Sequence, residues 1–149
     1  MDRELFKKEL IRDEGIRREP YYDTEGHLTV GIGFNLDAHK LPDGVTYPLS
    51  DAEIDQLYQI TADEVLGGIS NYFPWWNDLD DVRQRVIANM VFNMGVNGVA
   101  LFKNTIAYIK AGEYEKAASN MRKSKWFKQV KGRAVRLCKA MESGVMPNA

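Results

Sequence analysis

Soft and imidazole side chains are scarce in this chain: 149 residues hold two histidines, His27 and His39, and one cysteine, Cys138. With no paired spacing among them, a zinc site is not expected. A single cysteine excludes an intrachain disulfide, and Leu137 and Met141 beside Cys138 suggest a packed helix face. No apolar run approaches the roughly 18 residues of a membrane span, so stable membrane insertion is not expected. The first residues, MDRELFKKEL, carry no secretory apolar stretch, which points to accumulation in the cytoplasm of the cell that makes the protein. The nucleophile elbow GxSxG is absent. Val30-Gly31-Ile32-Gly33 lacks the third glycine and following helix of a dinucleotide loop, and no phosphate-loop lysine follows it. No cofactor is implied, and the carboxylates are left to carry any chemistry.

Charge of both signs is plentiful but uneven. Net charge is −1. Residues 103–149 hold 11 Lys and Arg against 3 Asp and Glu, net +8, so residues 1–102 hold 9 against 18, net −9. A basic third suits a polyanionic surface, be it DNA, anionic lipid or bacterial wall. It equally suits a solvated helical face.

The pattern along the chain is α+β and mostly α. Residues 2–14 form an amphipathic helix, with Asp2 as a cap and Gly15 as the stop. Residues 20–34 are strands joined by a type I turn, Asp23 to Gly26. Leu28, Val30 and Ile32 share one face of the second strand, and His27, Thr29 and Gly31 the other. Residues 35–49 are loop with room for one more short strand. Ser50-Asp-Ala-Glu53 is a capping box, and the helix it opens should end near Gly67-Gly68. The stretch 79–95 is apolar nearly all round from Val86 to Met94 and reads as a buried helix. Helices over about 97–112, 113–129 and 132–143 follow. The expected layout is one domain of two lobes: an N-terminal catalytic lobe (1–49) with a short antiparallel sheet, a connecting helix (50–68) and a helical C-terminal lobe (69–149). A cleft between lobes is a natural binding site.

Two carboxylates in unlike surroundings are the minimum equipment of a glycoside hydrolase, one to protonate the leaving oxygen and one to act on water or sugar. Glu14 ends an amphipathic helix, where the negative end of the dipole disfavours its anion. Asp23 sits at a solvated turn. Thr29 puts a hydroxyl on the non-core face of the hairpin. On spacing alone the two acids are also compatible with ordinary surface residues among the 21 in the chain.

Asp13-Glu14-Gly15, Tyr22-Asp23-Thr24-Glu25-Gly26 and Leu28-Thr29-Val30-Gly31-Ile32-Gly33 resemble the N-terminal signature of the T-even-phage lysozymes, endolysins of bacterial peptidoglycan. The similarity continues in order through LDDVRQRVIANMVFNMG, GVALFKNTIAYI, AASNMRKSKWFKQ and GRAVR. The resemblance implies the phage lysozyme-like fold. It implies Glu14 as general acid, Asp23 as the carboxylate assisting the attacking water, and Thr29 as the third member. It further implies Arg133 as the ion-pair partner of the acid, and Asn35, Phe92, Thr105 and Asn120 as substrate contacts. Phe92 and Asn120 read equally well as core and surface. Phe34 stands where relatives often carry a histidine after GIG, so that histidine's ion pair is missing, and Thr61 offers no charge to meet it. The 35–49 loop is short for the family.

The expectation is hydrolysis of the β-1,4 bond between N-acetylmuramic acid and N-acetylglucosamine, by a monomer without metal or cofactor. The protein would wait in the host cytoplasm until a holin-type permeabilising protein opens the membrane to the wall. A lytic transglycosylase and a non-catalytic wall-binding module are the rivals, and the retained Glu14, Asp23 and Thr29 speak against both. A nucleic-acid binder has only the basic C-terminal third in its favour, with no recognisable motif.

Overall fold

The computed structural model describes residues 1–148. The chain divides into two compact units, Arg3–Glu64 and Val65–Ala149 with Met1–Asp2. The division falls inside one continuous helix.

The first unit opens with α1 (Arg3–Glu14), followed by strands β1 (Arg17–Tyr22), β2 (Leu28–Gly31) and β3 (Phe34–Asn35). The strands form one antiparallel sheet in the order β1-β2-β3. Gly31 and Gly33 both take positive φ, 67° and 63°, which makes the tight β2–β3 reversal possible. These glycines of the GIG run thus serve a turn. The third strand ends at Asn35, where the sequence suggested loop. Helix α2 (Asp51–Tyr72) then begins at the expected capping box. The Ser50 hydroxyl accepts from Glu53 N at 3.1 Å, and Glu53 Oε1 accepts from Ser50 N at 2.9 Å. Glu53 Oε2 also takes Thr46 N at 3.2 Å. These N–H groups hold the Glu53 carboxyl below its ordinary range.

Phe6, Leu10, Val30, Ile32, Phe34, Leu49 and Leu57 are buried together as the apolar interior of this unit. Polar ties fix α1 to α2. Lys7 Nζ donates to Asp55 Oδ1 at 2.9 Å, which depresses the Asp55 carboxyl. Arg3 reaches Asp63 at 2.9 Å and Gln59 at 2.6 Å. The Tyr58 hydroxyl donates to Arg3 O at 2.6 Å, and burial pushes its pKa up to about 12. Phe34 stands after GIG in place of the histidine that the resemblance suggested, yet a tie from the loop to α2 exists: the His39 ring packs on Phe34 with centroids 5.3 Å apart, and its Nε2 meets Glu64. Glu64 lies three residues beyond Thr61, on the same helix face.

In the second unit α2 runs on to Tyr72, past the expected stop at Gly67-Gly68. The stop is set instead by Pro74, which disfavours helical backbone at Phe73. Gly68 is there for packing, because a Cβ at that position would stand 2.9 Å from Val96 Cγ1. A 3₁₀ turn (Pro74–Asp78) buries Trp76, whose Nε1 donates to Gln84 O at 2.9 Å. Helix α3 (Asp81–Ala100) starts with Asp80 as N-cap and is interrupted at Gly95, φ 77°. It is buried without a break from Gln84 to Val91.

The helix expected over 97–112 is instead the tail of α3 followed by α4 (Lys103–Lys110). Gly98 does not divide them; Met94 packs over it, where a Cβ would come within 2.8 Å. The helix expected over 113–129 is two, α5 (Tyr114–Arg122) and α6 (Lys125–Val130). They part at Ser124, whose hydroxyl accepts from Phe127 N at 3.1 Å and starts a new helix. Helix α7 (Gly132–Ser143) matches its expected bounds and ends at left-handed Gly144. Cys138 is wholly buried on it, and desolvation pushes its thiol up to about 11. Among the described residues no single helix is long and apolar enough to cross a membrane.

Candidate active site

Helix α1 ends because Gly15, at φ 74°, returns its N–H to Ile11 O at 2.8 Å. That leaves Glu14 as the last helical residue. Its neighbour Asp13 is fully covered, with Arg12 Nε 3.7 Å from its Oδ1.

Asp23 is held by its own turn. Gly26 N donates to Asp23 O at 3.0 Å, as a type I turn requires. The side chain folds over that turn, and Oδ1 accepts from Glu25 N at 2.9 Å and His27 N at 2.8 Å. One oxygen is therefore spent on positioning. The other, Oδ2, takes neither of these N–H groups, and His27 Nδ1 lies 3.7 Å from it. The carboxylate is two-thirds covered, at 34% side-chain exposure, so it is less wet than a turn position suggested.

Strand register then assembles a row. Tyr21 lies opposite Thr29, and Thr29 lies opposite Asn35. Directly opposed residues share a face, so three polar side chains stand side by side across the sheet. Thr29 is buried, and its hydroxyl donates to His27 O at 2.9 Å, which leaves the oxygen lone pairs free to accept. Asn35 spends its carboxamide oxygen on Asp37 N and Ala38 N, at 2.9 and 3.2 Å. Its amide donors remain.

Tyr21 links this row to both acids. Its hydroxyl is pushed above the ordinary tyrosine range, first by burial and then by the charge of Glu14. Arg17, stacked over the ring at 4.7 Å, opposes the rise, and Asp23 adds to it. Both carboxylates thus bear on one phenol. Tyr21 and His27 were not among the residues the sequence singled out. The available signal for Tyr21 was its place two residues before Asp23, the strand period; its opposition to Thr29 depends on a register that sequence does not show.

Phe92, Thr105, Asn120 and Arg133 belong to the second unit. Thr105 is buried and donates to Asn120 Oδ1 at 2.7 Å, so these two candidate contacts are brought together. Asn120 lines a cavity of about 550 Å³ with Phe102, Lys103, Asn104 and Lys123. Arg133, in the first turn of α7, donates from Nε to the buried Asn89 at 2.8 Å. Phe92 follows Asn89 by one helical turn on α3 and is half-buried.

Fold and site together describe a mostly helical α+β protein in which two carboxylates act on the tyrosine of a polar sheet row. The phage lysozyme family's sequence profile matches residues 12–140, and the chain belongs to that family. The chain is 30% identical to probable T4-type lysozyme 1 of Dictyostelium discoideum, over 95% of each chain. It is 32% identical to the pre-baseplate central spike protein Gp5 of Enterobacteria phage T4, over 91% of this chain and 27% of that protein. It is 30% identical to peptidoglycan hydrolase gp36 of Pseudomonas phage phiKMV, over 91% of this chain and 15% of that protein. The chain therefore spans only about a quarter or less of the two phage proteins and nearly all of the Dictyostelium one.

Proposed function

We propose that this chain is a peptidoglycan hydrolase that cleaves the β-1,4 bond between N-acetylmuramic acid and N-acetylglucosamine. Glu14 gives its proton to the leaving oxygen. Asp23 Oδ2 takes a proton from the attacking water, and Thr29 and Tyr21 present oxygens beside it. The observation that supports this reading is the asymmetry at Asp23: Oδ1 accepts both N–H groups of the turn, and Oδ2 accepts neither. Membership of the phage lysozyme family, and relatives named lysozyme and peptidoglycan hydrolase, support it. In the same reading the protein acts as a monomer, waits in the host cytoplasm and reaches the wall through a membrane opened by a holin-type partner.

The products decide the reaction. Purified peptidoglycan digested by the protein should yield reducing ends by mass spectrometry. Anhydro ends would establish a transglycosylase instead, and no products a binding module. Glu14→Gln should abolish the release of reducing ends while circular dichroism stays native, since general acid catalysis is worth about 10²–10⁴-fold. Near-native activity in a folded Glu14→Gln protein would overturn the assignment.

A further inference from the structure

His27 touches the site at four points. Its N–H holds Asp23 Oδ1 at 2.8 Å. Its carbonyl accepts both Asp23 N and the Thr29 hydroxyl, each at 2.9 Å. Its ring Nδ1 stands 3.7 Å from Asp23 Oδ2, the oxygen that no backbone N–H of the turn engages. The backbone contacts would survive any change of side chain; the ring contact would not. The imidazole is about half exposed, at 48%. The charged groups about it are Asp23 and Glu25 on its own turn, with Glu25 Oε2 4.0 Å from Nδ1. Beyond β3, Asp37 takes the N–H of the next residue, Leu28, at 3.0 Å. Tyr22 on β1 pairs with Leu28 in the sheet. The two charged groups within 4.0 Å of Nδ1, Asp23 and Glu25, are both carboxylates.

From this geometry we infer that His27 is a charge gate on Asp23, a positioning residue that decides whether Oδ2 is free to act as base. The inference rests on the hydrolase reading above. A protonated ring sets its positive charge 3.7 Å from Oδ2, and the oxygen that must receive the water's proton is then held in an ion pair and is a weaker base. A neutral ring releases it. Water then gives a proton to Oδ2 as its oxygen bonds to the anomeric carbon. The bond from that carbon to the leaving oxygen breaks, and the Glu14 proton moves to that oxygen. The proton on Asp23 passes to the neutral Nδ1 and from the half-exposed ring to solvent, while solvent reprotonates Glu14. One proton enters and one leaves in each turnover. Histidine is the side chain whose charge changes between about pH 5 and 8, so the gate would close as the medium acidifies.

The test is the pH profile of kcat/KM for reducing-end release from uncross-linked glycan strands. It is measured for the wild type, His27→Gln and His27→Phe, each scaled to its own maximum. The wild-type rate should fall by about tenfold per pH unit on the acid limb of its profile. In both variants that fall should move at least about one pH unit further to the acid side. Superimposable profiles would overturn the gate. A second measurement needs no turnover. In the substrate-free protein, amide shifts of Glu25 and His27 should titrate together with the His27 ring, because both N–H groups bind Asp23. Amides that stay still while the ring titrates would also overturn it. Glu14→Gln should be silent at every pH; an active Glu14→Gln enzyme would defeat the hydrolase reading, whereas the ring and amide titration judges the gate alone.

Discussion

Replacing Asp23 by asparagine should separate its two oxygens by function. The amide oxygen can still accept from Glu25 N and His27 N, so the turn that positions the side chain should persist. The other atom becomes an NH₂ donor and cannot take a proton from water. Loss of a general base costs about 10²–10⁴-fold in rate, or about 3–5 kcal/mol of transition-state stabilisation at 1.36 kcal/mol per tenfold. Asp23→Ala loses the same chemistry and both turn hydrogen bonds, at about 1 kcal/mol each. For a chain of this size each kcal/mol moves the melting midpoint by about 2–4 °C. The alanine variant should therefore melt about 4–8 °C below the wild type, and the asparagine variant close to it. Initial rates of reducing-end release and melts followed by circular dichroism give both numbers on the same samples. An asparagine variant that keeps more than about a tenth of wild-type activity would refute the base assignment, since that loss is below the range for such a role.

Other outcomes follow from the same structure. The first product should be the α-anomer, because Asp23 and Thr29 are read as partners of a water molecule and not as an attacking nucleophile; proton NMR before mutarotation reads it, and a β-anomer would contradict it. Lys123→Glu with Lys128→Glu, both exposed, should weaken binding to anionic wall, more so at low salt; a pull-down at several ionic strengths that shows no change would leave the basic third a merely solvated face. Glu53, whose carboxyl is held low by the N–H groups of Ser50 and Thr46, contributes stability above the unfolded glutamate value of about 4.3 that is lost as pH falls through the lower folded value. Melts of Glu53→Gln should accordingly lose less stability than the wild type on going from about pH 5 to pH 3.

Much of the site was legible because it is local. The DEG helix stop, the turn from Asp23 to Gly26 and the capping box each depend on residues within four positions of one another, and each formed as expected. Helix ends were harder, since glycine has two uses. Gly15 and Gly144 stop helices, whereas Gly68 and Gly98 sit inside them because Val96 and Met94 need the space. Ser124 caps α6 before KWF, a boundary inside the helix expected over 113–129. The row Tyr21–Thr29–Asn35 was out of reach, because cross-strand register is a long-range property. So was the pairing of His39 with Glu64: the position after GIG was known to lack a histidine, but nothing local says that one five residues later turns back onto Phe34 and reaches α2.

The short segment before α2 sets where this protein could gain or lose length. Glu53 alone gathers the N–H groups of Thr46 and Ser50, and Arg18 reaches across to Leu49 O and Asp51 at 2.8 and 2.6 Å. An inserted residue anywhere from Thr46 to Ser50 would pull at least one of these partners out of reach. Among the described residues the hydrogen bond within the stretch from Pro42 to Val45 is its own turn, Val45 N to Pro42 O at 3.3 Å, with Asp43 and Gly44 exposed. Length added there lies outside every tie to the helix, and doubling a flexible loop costs only about 0.6 kcal/mol. The Asp43–Gly44 tip is thus the natural port for grafting a wall-targeting peptide or a spectroscopic tag. The same tip is where a longer relative could carry its extra residues without disturbing the helix start.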